Sequence, residues 1–219
     1  MPTLPANLIS LLQSARVLVV GDTMLDRYWF GEVERISPEA PVPVAKIERM
    51  DQRAGGAGNV ARNIAALGGQ AALLSVVGQD EAANELEKII QSNGVQTFLE
   101  HDETIATTVK LRVLSRNQQL LRIDFEEKPS QDVLDRLKRR FRSLLPDYDA
   151  VILSDYGKGC LFQVADMIDF ARAHNKPVLI DPKGDNYEKY AGASLITPNR
   201  NELRQVDYEI GRASCRERV

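Results

Sequence analysis

Short apolar runs that stop at glycine, serine or a carboxylate recur along this chain, and they constrain its fold more than any other feature. Arg16–Val20 is followed by Gly21-Asp22, Ala71–Val77 by Gly78, Ala150–Ser154 by Asp155, and Val178–Ile180 by Asp181. Runs this short and continuously apolar suit strands buried on both faces of a parallel sheet. Between them, apolar residues fall at helical spacing after Asn59 as far as Leu67, over Glu81–Gln91, from Ser130 to about Leu145, and over Phe162–His174. Asp80 precedes the second of these stretches and Asn93-Gly94 closes it, which are helix start and stop signals. Ser194–Thr197 reads as a last strand leading into Pro198-Asn199-Arg200-Asn201-Glu202. The alternation predicts an α/β domain with a mostly parallel sheet and helices on both faces. Polar residues just past the strand ends then become the candidate ligand positions.

The densest chemistry lies in Ala54–Gly78, above all in Gly55-Gly56-Ala57-Gly58-Asn59. Glycines lack a Cβ, so their backbone N–H groups can come close to a ligand. A glycine loop opening into a helix N-terminus favours an oxygen-rich or anionic ligand. Asn59 adds an amide that can donate to one hydroxyl and accept from another. A tight turn would also account for such glycines. No Gly-Lys-Ser/Thr follows, and the spacing of a dinucleotide fingerprint is missing, so both of those phosphate loops are excluded.

Two further stretches stand apart from the strand–helix alternation. Gly31–Arg49 holds Pro38, Pro41 and Pro43 among apolar residues, which suits an edge strand or an extended arm. Thr107–Leu114 and Gln118–Phe125 alternate around Ser115-Arg116-Asn117 and predict a hairpin. Lys110 and Arg112 share one face of its first strand, Arg116 sits at the turn, and Arg122 lies on the return strand. These cations either blunt an edge strand against aggregation or gather to meet a phosphate. His174 reads as a charge near a helix C-terminus, and His101 has no evident partner.

A chain of 219 residues with 43% hydrophobic content suits one sizeable α/β domain. Its apolar runs are too short to span a bilayer, and the N-terminus has no secretory pattern. A net charge of −3 gives no electrostatic case for nucleic acid or an anionic membrane. Two cysteines, Cys160 and Cys215, do not make a disulfide framework, and the cytoplasm is the expected location. Residues 209–219 break the pattern, and Glu209–Val219 back-translates without gaps into a common short-read sequencing adapter. The expectation is a native chain cut near Tyr208, followed by a non-native read-through tail.

The glycine stretch resembles the first signature of the ribokinase (PfkB-type) family of sugar kinases, with Gly55, Gly56, Ala57, Asn59, Ala61, Gly68 and Gly78 in its pattern. The resemblance runs from about Arg16 to Tyr208. Gly21–Gly31 with Ser37–Val44, Lys110–Glu127, Leu153–Gly159 and Leu179–Gly184 are similar to the family's heptose-phosphate kinases. It implies a ribokinase-like three-layer α/β fold over residues 1–208, with a small β lid from segments at about 31–49 and 107–125. The implied reaction is ATP-dependent, with Mg2+, and phosphorylates D-glycero-β-D-manno-heptose 7-phosphate at its anomeric oxygen. The 1,7-bisphosphate would feed ADP-heptose and lipopolysaccharide core synthesis.

By the same resemblance Asp26, Gly55, Gly56 and Asn59 orient the sugar, with Asp22 a second candidate that could equally be a turn residue. Lys110, Arg112, Arg116 or Lys158 would meet the 7-phosphate, and Lys183 the ATP phosphates. Asn199 and Glu202 match the family's Asn-x-x-Glu element near the nucleotide, Glu202 bearing on the metal indirectly. A homodimer through the lid is expected. The family's second signature, Asp-Thr-x-Gly-Ala-Gly-Asp, does not occur in this sequence. It carries the catalytic base, which is therefore expected beyond residue 208, so the domain reads as C-terminally truncated and the chain as given as inactive. The alternatives are another phosphosugar kinase of the family, or a non-catalytic sugar-phosphate-binding dimerising module.

Overall fold

A computed structural model describes residues 8–116, 118–204 and 206. The expected read-through tail at 209–219, and Cys215 with it, lies outside the described residues. In chain order the elements are α1 (Leu8–Ser14), β1 (Arg16–Gly21), β2 (Thr23–Ile36), β3 (Pro43–Gly56), α2 (Ala57–Ala66), β4 (Gln70–Gly78), α3 (Glu81–Gln91) and β5 (Gln96–Asp102). They continue with β6 (Val109–Ser115), β7 (Gln118–Phe125), α4 (Gln131–Leu144), β8 (Ala150–Ser154), α5 (Val164–Ala173), β9 (Val178–Asp181) and β10 (Leu195–Ile196).

Among the described residues the main sheet has six parallel strands in the order β10-β9-β8-β1-β4-β5. Successive side chains on a strand point to opposite faces, so each apolar run supplies two cores. Leu18, Val20, Leu74 and Leu153 pack on one face with Val133, Leu137 and Phe141 of α4 and Met167 and Ile168 of α5. Val19, Leu73 and Val77 pack on the other with Ala57 and Ala61 of α2 and Leu86 and Ile90 of α3. This is the expected three-layer arrangement. The cap of α3 is also as expected: the Asp80 carboxylate accepts the Ala83 N–H at 2.8 Å. It further accepts the Thr107 N–H and hydroxyl, at 2.8 and 2.7 Å, tying the helix to the entry of β6.

A second sheet, in the order β3-β2-β6-β7, stands off the first as a lid. Strands β2 and β3 pair antiparallel from Thr23–Gly56 out to Ile36–Pro43, β2 and β6 run parallel, and β6 and β7 form the expected hairpin. The lid is larger than the sequence suggested. The segments read as a polar run after Gly21 and a glycine loop at Gly55-Gly56 are the inner ends of β2 and β3. Their inner residues Met24, Leu25 and Ala54 are buried in the core while their outer halves mix half-buried and exposed residues, so no single alternation runs through either strand. The prolines sit where a ladder tolerates them, Pro43 starting β3 and Pro38 and Pro41 in the connection.

Other departures are smaller. Helix α2 starts at Ala57, not after Asn59, because Gly56 turns the chain at φ +58° and the Ala57 N–H bonds the Asp22 carbonyl at 2.9 Å. A Cβ on Gly56 would stand 2.2 Å from that same carbonyl oxygen, so the turn requires glycine. Helix α5 begins at Val164 and β10 covers only Leu195–Ile196. The sequence signals neither α1 nor β5; among the described residues β5 pairs with β4 alone and is mostly half-buried, which leaves no strong apolar run to see.

Candidate functional site

A cleft of about 450 Å³ opens at the inner ends of β2 and β3, where α2 begins. Asp26, Gly55, Gly56 and Asn59 line one part of it. Asp26 lies on β2 opposite Arg53 of β3 and Lys110 of β6. Its Oδ1 accepts the Arg112 Nη1 at 2.6 Å. Its Oδ2 lies over Gly55, where an added Cβ would come within 2.4 Å. The glycine thus makes room for the carboxylate as much as for a ligand. Asn59 sits in the first turn of α2, beside backbone N–H groups that lack helical partners.

Five cations line the remaining wall: Arg53, Arg62, Lys110, Arg112 and Arg122. Arg53 and Arg112 both lie 5.1 Å from the centre of the Tyr28 ring. Most of these cations have carboxylate partners. Lys110 and Arg122 reach Asp124 at 2.9 and 3.0 Å, and Arg53 reaches Asp51 at 2.7 Å. The Lys110 ammonium, hydrogen-bonded to Asp124, holds that carboxyl below its ordinary range. Burial works against Arg112, yet the Asp26 carboxylate keeps its guanidinium more firmly charged than usual.

Asp22, Arg116 and Lys158 do not join the cleft. The Asp22 carboxylate is buried and accepts the N–H groups of Tyr156, Lys158 and Cys160 at 2.8, 3.0 and 2.9 Å. Burial raises its pKa even against those three donors. Asp22 therefore braces the loop after β8, which presents Tyr156 to the cleft. Arg116 turns the tip of the lid at φ +46° and lines another cavity with Phe30, Glu32 and Arg49. The Lys158 ammonium is taken by Glu126. Arg53, Arg62 and Tyr156 were missed as cleft residues. Arg62 was within reach of the sequence, because three residues after Asn59 is the same helix face.

Lys183, Asn199 and Glu202 gather beyond the ends of β9 and β10. Asn199 Oδ1 accepts the Asn201 and Glu202 N–H groups at 2.9 and 3.0 Å, and Glu202 Oε2 accepts the Asn199 N–H at 2.9 Å. That reciprocal pair is a capping box, which fixes the Asn-x-x-Glu spacing by itself. Glu202 Oε1 lies 3.8 Å from Lys183 Nζ. The loop carrying Lys183 is pinned by Tyr190, whose buried hydroxyl donates to Asp155 at 2.6 Å and accepts the Lys183 N–H at 3.0 Å. Among the described residues no cluster of His, Cys, Asp or Glu could hold a metal ion by itself, and no helix is long and apolar enough to cross a membrane.

A parallel sheet between helix layers, with a four-stranded lid over a glycine-lined cleft, defines the ribokinase-like class of α/β proteins. Within that class the chain belongs to the pfkB family carbohydrate kinases, whose family model matches residues 14–206. It is 56% identical over 192 residues to the D-beta-D-heptose 7-phosphate kinase of Bordetella bronchiseptica, covering 88% of this chain and 61% of that protein. It is 50% identical over 198 residues to the bifunctional protein HldE of Hahella chejuensis, covering 90% of this chain and 42% of that protein. The structure matches a ribokinase from Thermotoga maritima at a TM-score of 0.63 and 18% identity, over 89% of this chain and 63% of that one, a likeness of fold alone.

Proposed function

We propose that this chain is the sugar-binding part of a kinase that moves the γ-phosphoryl group of ATP to the anomeric oxygen of D-glycero-β-D-manno-heptose 7-phosphate. The cleft carries the reading: a carboxylate and an amide suited to sugar hydroxyls stand beside five cations suited to a phosphate. The name of the 56% identical relative supports the choice of heptose. Asp26 Oδ2 and the Asn59 amide bind sugar hydroxyls, while Arg112 holds Asp26 by its other oxygen. The cationic wall receives the 7-phosphate, which leaves the opposite end of the sugar for chemistry.

In the transfer the anomeric oxygen bonds to the γ-phosphorus and the bond to the β–γ bridging oxygen breaks. ADP leaves, and the hydroxyl proton passes to a base that we assign to sequence beyond residue 208. Lys183 faces the ATP phosphates, on a loop steadied by Tyr190 and the Asn199–Glu202 box. Magnesium, when bound with ATP, neutralises phosphate charge. Glu202 bears on it indirectly, since one oxygen caps Asn199 and the other faces Lys183. The product would enter ADP-heptose and lipopolysaccharide core synthesis in the cytoplasm. A homodimer through the lid would cover the exposed Leu120, Leu121, Ile123 and Phe125 of β7.

The test joins this chain to the downstream coding sequence of its gene and measures ADP release. Turnover with heptose 7-phosphate and little with fructose 6-phosphate is expected. Preference for a fructose phosphate would move the assignment to another phosphosugar. Binding without turnover on any sugar would favour the non-catalytic module.

A further inference from the structure

The cations of the cleft differ in one respect that bears on what they can do for a ligand. Arg53, Lys110, Arg112 and Arg122 each have a carboxylate within 3.0 Å. Any anion that recruits one of them must compete with that carboxylate, and in the case of Arg112 would pull it from Asp26. Arg62 has no such partner among the described residues. Its side chain lines the cleft, and its Nε is buried without a hydrogen-bond acceptor. A guanidinium with no carboxylate to give up meets an incoming anion without that competition, although Nε itself comes into reach only when the side chain shifts. Position reinforces this. Arg62 stands one turn along α2 from Asn59 on the same face, so a ligand held by Asn59 passes within reach of it. Guanidinium is also the group best matched to phosphate, through paired parallel hydrogen bonds.

We infer that Arg62 contacts the phosphate of the bound phosphosugar and sets the preference of the cleft for a phosphorylated over an unphosphorylated sugar. The inference rests on the phosphosugar-binding reading given above and assigns to α2, not to the lid, the first charge that the phosphate meets. The paired lid cations then supply a positive field and hold Asp26 in place, with Arg112 a positioning residue for that carboxylate.

Isothermal titration of the 219-residue chain with heptose 7-phosphate, heptose, fructose 6-phosphate and fructose tests it, using wild type, Arg62→Met and Arg62→Lys. Methionine keeps the aliphatic length and removes the charge, and thermal melting checks that the variants fold as wild type does. We expect Arg62→Met to weaken the phosphorylated sugar at least tenfold while changing its unphosphorylated counterpart less than twofold, with Arg62→Lys between. Equal weakening of both forms would mean a structural role and would overturn the inference, as would no change in either. A wild-type preference for fructose 6-phosphate that collapses in Arg62→Met would sink the heptose assignment and leave the inference standing. A wild-type chain that binds all four sugars without regard to phosphate would overturn the reading and the inference together.

Discussion

In the six-stranded sheet, β1 and β8 run between helix layers with Leu18, Val20, Val151 and Leu153 fully buried, whereas all eight residues of β7 in the lid are exposed. Each large apolar side chain buried in the core contributes about 1.5–3 kcal/mol. The lid instead relies on partly exposed ion pairs such as Lys110–Asp124, worth about 0–1 kcal/mol. Arg49 stacked 3.9 Å over Phe30 adds a contact of similar size. The core therefore carries the stability, while the lid contributes one wall of the cleft. Regions with few buried apolar contacts open at lower free energy than the rest, and ligand sites draw on them.

The sharpest test of that division is Phe141→Ala. The ring is fully buried on α4, so the variant should lose about 3–5 kcal/mol in urea unfolding. A loss no larger than that of a lid variant would break the comparison. Asp102→Asn probes the polar bracing of the core. Burial pushes the Asp102 carboxyl up, but the Thr104 hydroxyl and the Ser130 and Thr104 N–H groups, at 2.7, 2.7 and 2.9 Å, together hold it far below its ordinary 3.8. A depressed folded-state pKa adds stability that is fully present above the unfolded value and is lost as pH falls through the folded one. The variant should cost about 1.5–3 kcal/mol at neutral pH, and the gap to wild type should close on acidification below 3.8. A gap that persists unchanged in acid would show that the charge is not what Asp102 contributes.

Asp26→Ala and Asn59→Ala shift attention to the cleft. Each should weaken sugar binding by about 1–3 kcal/mol, because a hydroxyl loses its partner, while the fold survives. Unchanged sugar affinity in both would remove them from the site. The smallest effect on stability belongs to Leu121→Ser on β7, within about 0.5 kcal/mol for an exposed position. The same variant should reduce dimerisation in sedimentation if β7 meets a second copy. A monomer in wild type at micromolar concentration would break that part of the comparison.

The same division governs what could be read from the sequence. Core elements were legible because burial on both faces leaves continuous apolar runs, as in Ala71–Val77, and because Asp80 marks its helix. The lid hairpin was legible from its alternation. The full lengths of β2 and β3 were not, since each strand passes from core to solvent and changes its pattern midway. Asp26, Gly55, Gly56, Asn59, Lys110 and Arg112 line one cleft. Asp22 is drawn away by three N–H donors from a loop more than 130 positions distant, a partnership with no local signature. Asn199 and Glu202 satisfy each other, so their spacing has a local cause that the resemblance obscured.

The parallel pairing of β2 with β6 has a consequence in time. Leu25 pairs with Val109, and the whole β4–α3–β5 segment lies between them. Contacts between distant parts of a chain must first meet the entropy of closing the intervening loop, which slows their formation. That intervening segment is itself a local strand–helix–strand unit of the core, so its folding shortens the effective loop. During synthesis β2 and β3 emerge before β6, and a two-stranded pair by itself is at best marginally stable in water. The cleft, whose wall needs Lys110 and Arg112 from β6, comes into being only when the late strand docks.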